Sequence, residues 1–95
     1  MYNELAAFTE EIVTPAVHLG GTSKEGLKDP LIIARNAVLA AQSLLRECAP
    51  HGRDYYTQPD PDAYTTAARQ HNSRMRALDV IQRQLTYLIL KVDRQ

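Results

Sequence analysis

The chain has no tryptophan, and phenylalanine and cysteine occur once each. Its formal net charge is zero and its longest apolar cluster, "YLILKV", is only six residues long. Each scarcity excludes something. With Cys48 alone, no intrachain disulfide can staple the fold, and a lone thiol fits a reducing compartment. His18, His51 and His71 are scattered, and none takes a ligand spacing with Cys48 or a carboxylate, so no metal is expected. Balanced charge disfavours a general binder of DNA or RNA polymers. A six-residue apolar cluster is far short of the roughly 20 residues that span a bilayer, so no membrane association is expected. The N-terminus, "MYNELAAFTEE", lacks the basic start and apolar run of a secretory signal, which points to the cytoplasm. No serine or cysteine is paired with a suitable base, and no isolated carboxylate pair is present. Catalytic residues, enzymatic activity and cofactors are therefore not expected.

What is present is helical periodicity. The 95 residues suit a single domain. A chain of this size buries only about 60–70% of its unfolded surface, so its core is thin without outside help. Residues 1–17 read as a short N-terminal helix over residues 2–11, with Leu5, Phe8 and Ile12 on one side, and a connector that Pro15 keeps extended. Residues 22–48 read as a second helix, in which Leu27, Leu31, Ala34, Val38, Ala41, Leu45 and Cys48 form a continuous heptad seam. Residues 49–60 form a turn. Residues 61–93 form a third helix, with Asp60 as N-cap and Pro61 at its first position. The third helix's seam runs through Tyr64, Ala68, His71, Met75, Leu78, Ile81 or Gln82, Leu85, Ile89 and Val92. Helices of roughly 40 and 50 Å joined by a short turn make an all-α antiparallel hairpin. Ile32, Ile33, Ala37, Ala40 and Leu44 fall off the first seam, and the end of the third helix is apolar almost all round. A homo-oligomer is the simplest cover for that surface.

Three polar clusters punctuate this frame. The first is "HLGGTSKEGLKDP", residues 18–30. Thr22 to Glu25 spells a capping box, and Asp29-Pro30 is a second start signal, so a break or kink is expected between them. Hydroxyls, free amides, Lys24 and Lys28 at a helix N-terminus can hold a phosphate; the plainer reading is a cap and nothing more. The second cluster is "PHGRDYY" in the turn. Here Arg53, Asp54, Tyr55 and Tyr56 either grip a nucleotide or tie the turn together by an Arg53–Asp54 pair. The third is "ARQHNSRMR", where His71 takes a seam position and Arg69, Asn72 and Arg74 stand beside it. A polar seam residue often fixes register. Copies gathered around a symmetry axis would instead make a cationic pocket. The charge distribution favours this end of the chain: residues 61–95 hold six Lys or Arg against three Asp or Glu, whereas residues 1–60 hold five against eight.

"HLGGTSKEGL" opening a helix, "PHGRDYY" in the turn, and a basic return helix with an Arg-x-His step together resemble a phage family of small helical-hairpin sponges. The family includes the anti-CBASS cyclic-oligonucleotide sponge and the hairpin domain of a Thoeris anti-defence protein. The resemblance spans residues 18–92, and the N-terminal segment matches only in length and type. It implies a viral immune-evasion protein that sequesters cyclic nucleotide second messengers without degrading them, acting in the cytoplasm of the infected bacterium. It further implies a hexamer, with cyclic dinucleotides bound between protomers and cyclic trinucleotides on three-fold axes. Matched to this sequence, Thr22, Ser23 and Lys24 become candidate phosphate contacts, with Lys28 beside them. Arg53, Tyr55 and Tyr56 become candidates from the turn, with Phe8 from the N-terminal helix. Arg69 and His71 become candidates for the axial site. The Asp29-Pro30 pair departs from the family pattern. Two other classes stand beside this one: an adaptor hairpin making only protein contacts, and a DNA-binding hairpin using the basic last helix.

Overall fold

Ser23, not Thr22, opens the first helix. In the computed structural model, which describes residues 11–95, its side-chain oxygen accepts the Gly26 amide at 3.0 Å and its carbonyl accepts the Leu27 amide. The cap thus falls one residue later than expected. The third helical position is then Gly26 and not Glu25, so no acidic side chain reaches back. A Cβ at Gly26 would stand 2.8 Å from Thr22 Cγ2 and 3.0 Å from the capping oxygen, so a larger residue there needs the Thr22 side chain to shift. Helix α1 runs from Lys24 to Arg46. It passes through Pro30 without the expected break. Proline there removes one donor, leaving the Gly26 carbonyl without its usual partner four residues on. The surrounding turns remain helical. The last turn closes with short-range bonds from the Glu47, Cys48 and Ala49 amides to Leu44, Leu45 and Arg46.

A single 3₁₀ turn, Gly52–Asp54, sits in the connection, and helix α2 then runs from Ala63 to Asp93. Asp60 and Pro61 lie outside it. Asp60 Oδ1 instead accepts the Asp62 amide at 2.9 Å in a turn that precedes the helix, and Asp62 holds the N-cap position without a side-chain bond. Among the described residues there are two α-helices and no strands, and the helices pack as a hairpin. The expected helix over residues 2–11, with Phe8, lies outside the described residues except for Glu11, which is not helical. The segment from Glu11 to Val17 is irregular, as Pro15 suggested. Gln95 fastens it: its side-chain oxygen accepts the Val17 amide and its amide donates to the Pro15 carbonyl, both at 2.7 Å.

The seam of α2 follows the expected heptad. His71, Ile89 and Val92 are buried, Met75, Leu78, Gln82 and Leu85 are half-buried, and Ile81 is exposed, which settles the choice in favour of Gln82. Tyr64 is exposed instead of seated in the seam. The seam of α1 is turned by one position. Leu31, Val38 and Leu45 keep their seats, but Lys28, Arg35 and Gln42 occupy the alternate ones, while Ala34, Ala41 and Cys48 are exposed. Long polar side chains fill such seats with their methylenes. The consequence is a thin core: Val80, Ile89 and Val92 are the buried hydrophobics among the described residues. The protomer is a rod of 62 × 24 × 17 Å with a radius of gyration of 18.3 Å. A compact chain of this length has a radius near 12 Å.

Candidate functional site

The hairpin separates the two halves of the sequence motif. Thr22, Ser23 and Lys24 stand at the start of α1, and Arg53, Tyr55 and Tyr56 stand beyond its other end. The 23 residues of α1 put about 35 Å between them. No single protomer brings these residues to one place.

At the α1 start, both lysines already have partners. Lys24 Nζ donates to the Asp93 carbonyl at 3.1 Å, and Lys28 Nζ meets Asp93 Oδ1 at 2.5 Å. Lys24 thereby satisfies a carbonyl at the C-terminal end of α2, and both ammoniums stand at the negative end of its dipole. The hydrogen bond from Lys28 holds the Asp93 carboxyl below its ordinary 3.8, with the lysine's charge adding to the effect. The same bond raises Lys28 above its ordinary 10.5. Donor capacity nonetheless remains. An ammonium carries three protons and a capping serine keeps its O–H, so Ser23 and Lys24 can each donate outward. Thr22 is exposed. Upstream, the Gly21 amide bonds the His18 carbonyl at 3.1 Å, and the imidazole lies so close that a Cβ on Gly21 would stand 2.6 Å from its Nε2.

At the turn, Arg53 is exposed and makes no ion pair among the described residues, so the expected link to Asp54 is not formed. Tyr56 is 81% exposed. Tyr55 turns inward, its ring 6.1 Å from that of Tyr64 at a tilt of 57°. Tyr55 and His71, assigned to different sites in the sequence, meet in one cavity of about 320 Å³ lined by Leu45, Cys48, Pro50, Tyr55, Ala67, Gln70, His71 and Arg74. Arg69 does not join them. Two residues from His71, it is turned about 200° around the helix, and it is exposed. Gln70 and Cys48 carried no signal as site residues. The spacing of Ala67, His71 and Arg74 at i, i+4 and i+7 puts them on one face of α2, a signal the seam through Ala68 and Met75 did not use.

The described residues hold no group of three or more histidine, cysteine or acidic side chains suited to a metal. No helix among them is long and apolar enough to cross a membrane. No protein-family model, curated protein or solved structure matches the chain.

Proposed function

We propose that the protein is a phage anti-defence sponge that binds cyclic nucleotide messengers between protomers of a homo-oligomer and holds them without turnover. The observation that carries this reading is an uncovered apolar stripe on α1. Ile33, Ala37, Ala40 and Leu44 follow heptad spacing on the side away from the seam, with Ile33 69% and Leu44 67% exposed. The chain exposes 7033 Å², whereas a compact monomer of 10.7 kDa exposes about 5,500 Å². A second α1 laid antiparallel on this stripe carries its turn toward the first protomer's α1 start. Thr22, Ser23 and Lys24 then share a cleft with the neighbour's copies of Arg53, Tyr55 and Tyr56. Guanidinium, ammonium and hydroxyl donors grip phosphate there, and tyrosine supplies a stacking face. Hexameric assembly and an axial trinucleotide site using Arg69 and His71 belong to the same proposal.

A second reading has its own support. Lys24 and Lys28 engage Asp93 within the chain, as an adaptor hairpin with purely protein contacts requires. Arg53→Glu separates the two, because Arg53 has no ion pair to lose among the described residues. Titration calorimetry with cyclic dinucleotides, beside a native mass of the assembly, reads both outcomes. The sponge loses binding and keeps its assembly, whereas the adaptor binds nothing in either form.

A further inference from the structure

The cavity beneath the turn lies within one protomer; it shares Tyr55 with the proposed cleft and His71 with the proposed axial site, but neither Arg53 nor the α1 start lines it. Its floor is His71, 9% exposed and without a hydrogen-bond partner among the described residues. The His71 ring nitrogens keep access to the cavity's solvent, and an imidazole can both donate and accept there. Its rim carries Gln70 and Arg74, each exposed, with Arg74 one turn beyond His71 on the same face of α2. No carboxylate lines the cavity, and Arg74 has no ion pair among the described residues. The lining therefore holds one uncompensated cation. The remaining walls are Leu45, Pro50, Ala67 and the Tyr55 ring, which Tyr64 braces from behind. At about 320 Å³ the cavity is near the lower end of small-molecule sites, yet it would hold about ten waters. A bare ion would leave most of it unfilled.

We infer that this cavity binds a monocyclic organic anion. The phosphate or carboxylate head is held by Arg74 and Gln70, with the ring between Tyr55 and Pro50 above His71. Guanidinium offers two parallel donors to such a head, and the ring replaces water against apolar walls. Cys48 completes the lining, its thiol donating to the Leu44 carbonyl at 3.8 Å.

The test is titration of the full-length protein with phenyl phosphate and with benzoate, and with benzyl alcohol as the neutral control. The His71 ring signal is followed by proton–carbon NMR. A saturable shift of that signal with either anion, absent with benzyl alcohol, is expected, and the stronger of the two identifies the head. Arg74→Gln weakens the binding by at least about tenfold, whereas Arg94→Gln, the same charge change at the far end of α2, leaves it unaltered. Arg74 is exposed, so its loss does not threaten the fold. His71→Gln, judged by calorimetry on samples with native helix content, weakens binding too. The inference is overturned if neither anion shifts the His71 signal, if benzyl alcohol does so equally, or if Arg74→Gln binds as the parent does. Messenger binding is unaffected by that failure, because it is read at Arg53 in the calorimetric titration of cyclic dinucleotides.

Discussion

Lys28 Nζ stands 2.5 Å from Asp93 Oδ1 and ties the first turns of α1 to the last turn of α2. The contact closes the open end of the hairpin, where Lys24 also caps the Asp93 carbonyl. It also turns a lysine that reads in sequence as a phosphate ligand into a strut.

The pH dependence follows from this pair. Asp93 is lowered in the folded chain, so its contribution is present above the ordinary 3.8 and is lost as the pH falls through the folded value. Lys28 is raised, so its contribution is complete below 10.5 and is lost as the pH rises through its folded value. The difference in Tm between the parent and Asp93→Asn is therefore flat from mildly acid to mildly alkaline pH. It shrinks as the pH drops below 3.8. Lys28→Met shows the mirror behaviour on the alkaline side. Thermal melts across the pH range check both.

The cap can be located by substitution. Ser23→Ala removes the acceptor for the Gly26 amide and costs about 1 kcal/mol. Thr22→Ala, at an exposed position that makes no hydrogen bond among the described residues, changes stability by less than about 0.5 kcal/mol. Urea unfolding of the two variants distinguishes the observed cap from the capping box spelled by the sequence.

Arg35 sits in the α1 seam with its Nε buried and unpaired. A buried donor without a partner costs about 1–3 kcal/mol, and methionine fills similar space without one. Arg35→Met is expected to stabilise the protein by about 1 kcal/mol, measured as a rise in the urea midpoint at unchanged slope.

Leu44→Glu and Ile33→Glu probe the uncovered stripe. In an isolated hairpin both positions are solvent-exposed and the changes are worth within about 0.5 kcal/mol. In the proposed oligomer they bury a charge against a neighbour. Sedimentation is expected to show loss of the higher assembly for either variant, with helix content unchanged.

The hairpin was legible in sequence because helical periodicity and the glycine and prolines of the turn agree on it, although Pro30 pointed to a break that α1 does not have. Most of the α2 seam could be read, including His71, because its heptad positions from Ala68 to Val92 are the inward ones; Tyr64 at its start and the buried Val80 beside it were not. The α1 seam could not be read. Alanines and leucines cover several faces of α1, and apolarity alone favoured Ala34 and Ala41 over Arg35 and Gln42. Polar side chains took the inner seats, which left alanines for the outside. The start of α1 was ambiguous because Thr22 and Ser23 are both good caps, and only the bond from the Gly26 amide to Ser23 identifies the one used. The roles of Lys24 and Lys28 depend on Asp93, 65 residues from Lys28, and no local pattern carries a contact of that range. The cavity joins the end of α1, the turn and the start of α2, so its members looked like parts of separate motifs.

The most direct test of the sponge is recovery of the ligand. Purified protein is incubated with a panel of cyclic di- and trinucleotides and adenosine-ribose messengers, washed, denatured, and the released material is analysed by mass spectrometry. The account predicts at least one messenger retained through washing and released chemically intact, and Arg53→Glu retaining none. Failure to retain any member of the panel, or release of cleaved products, would contradict it.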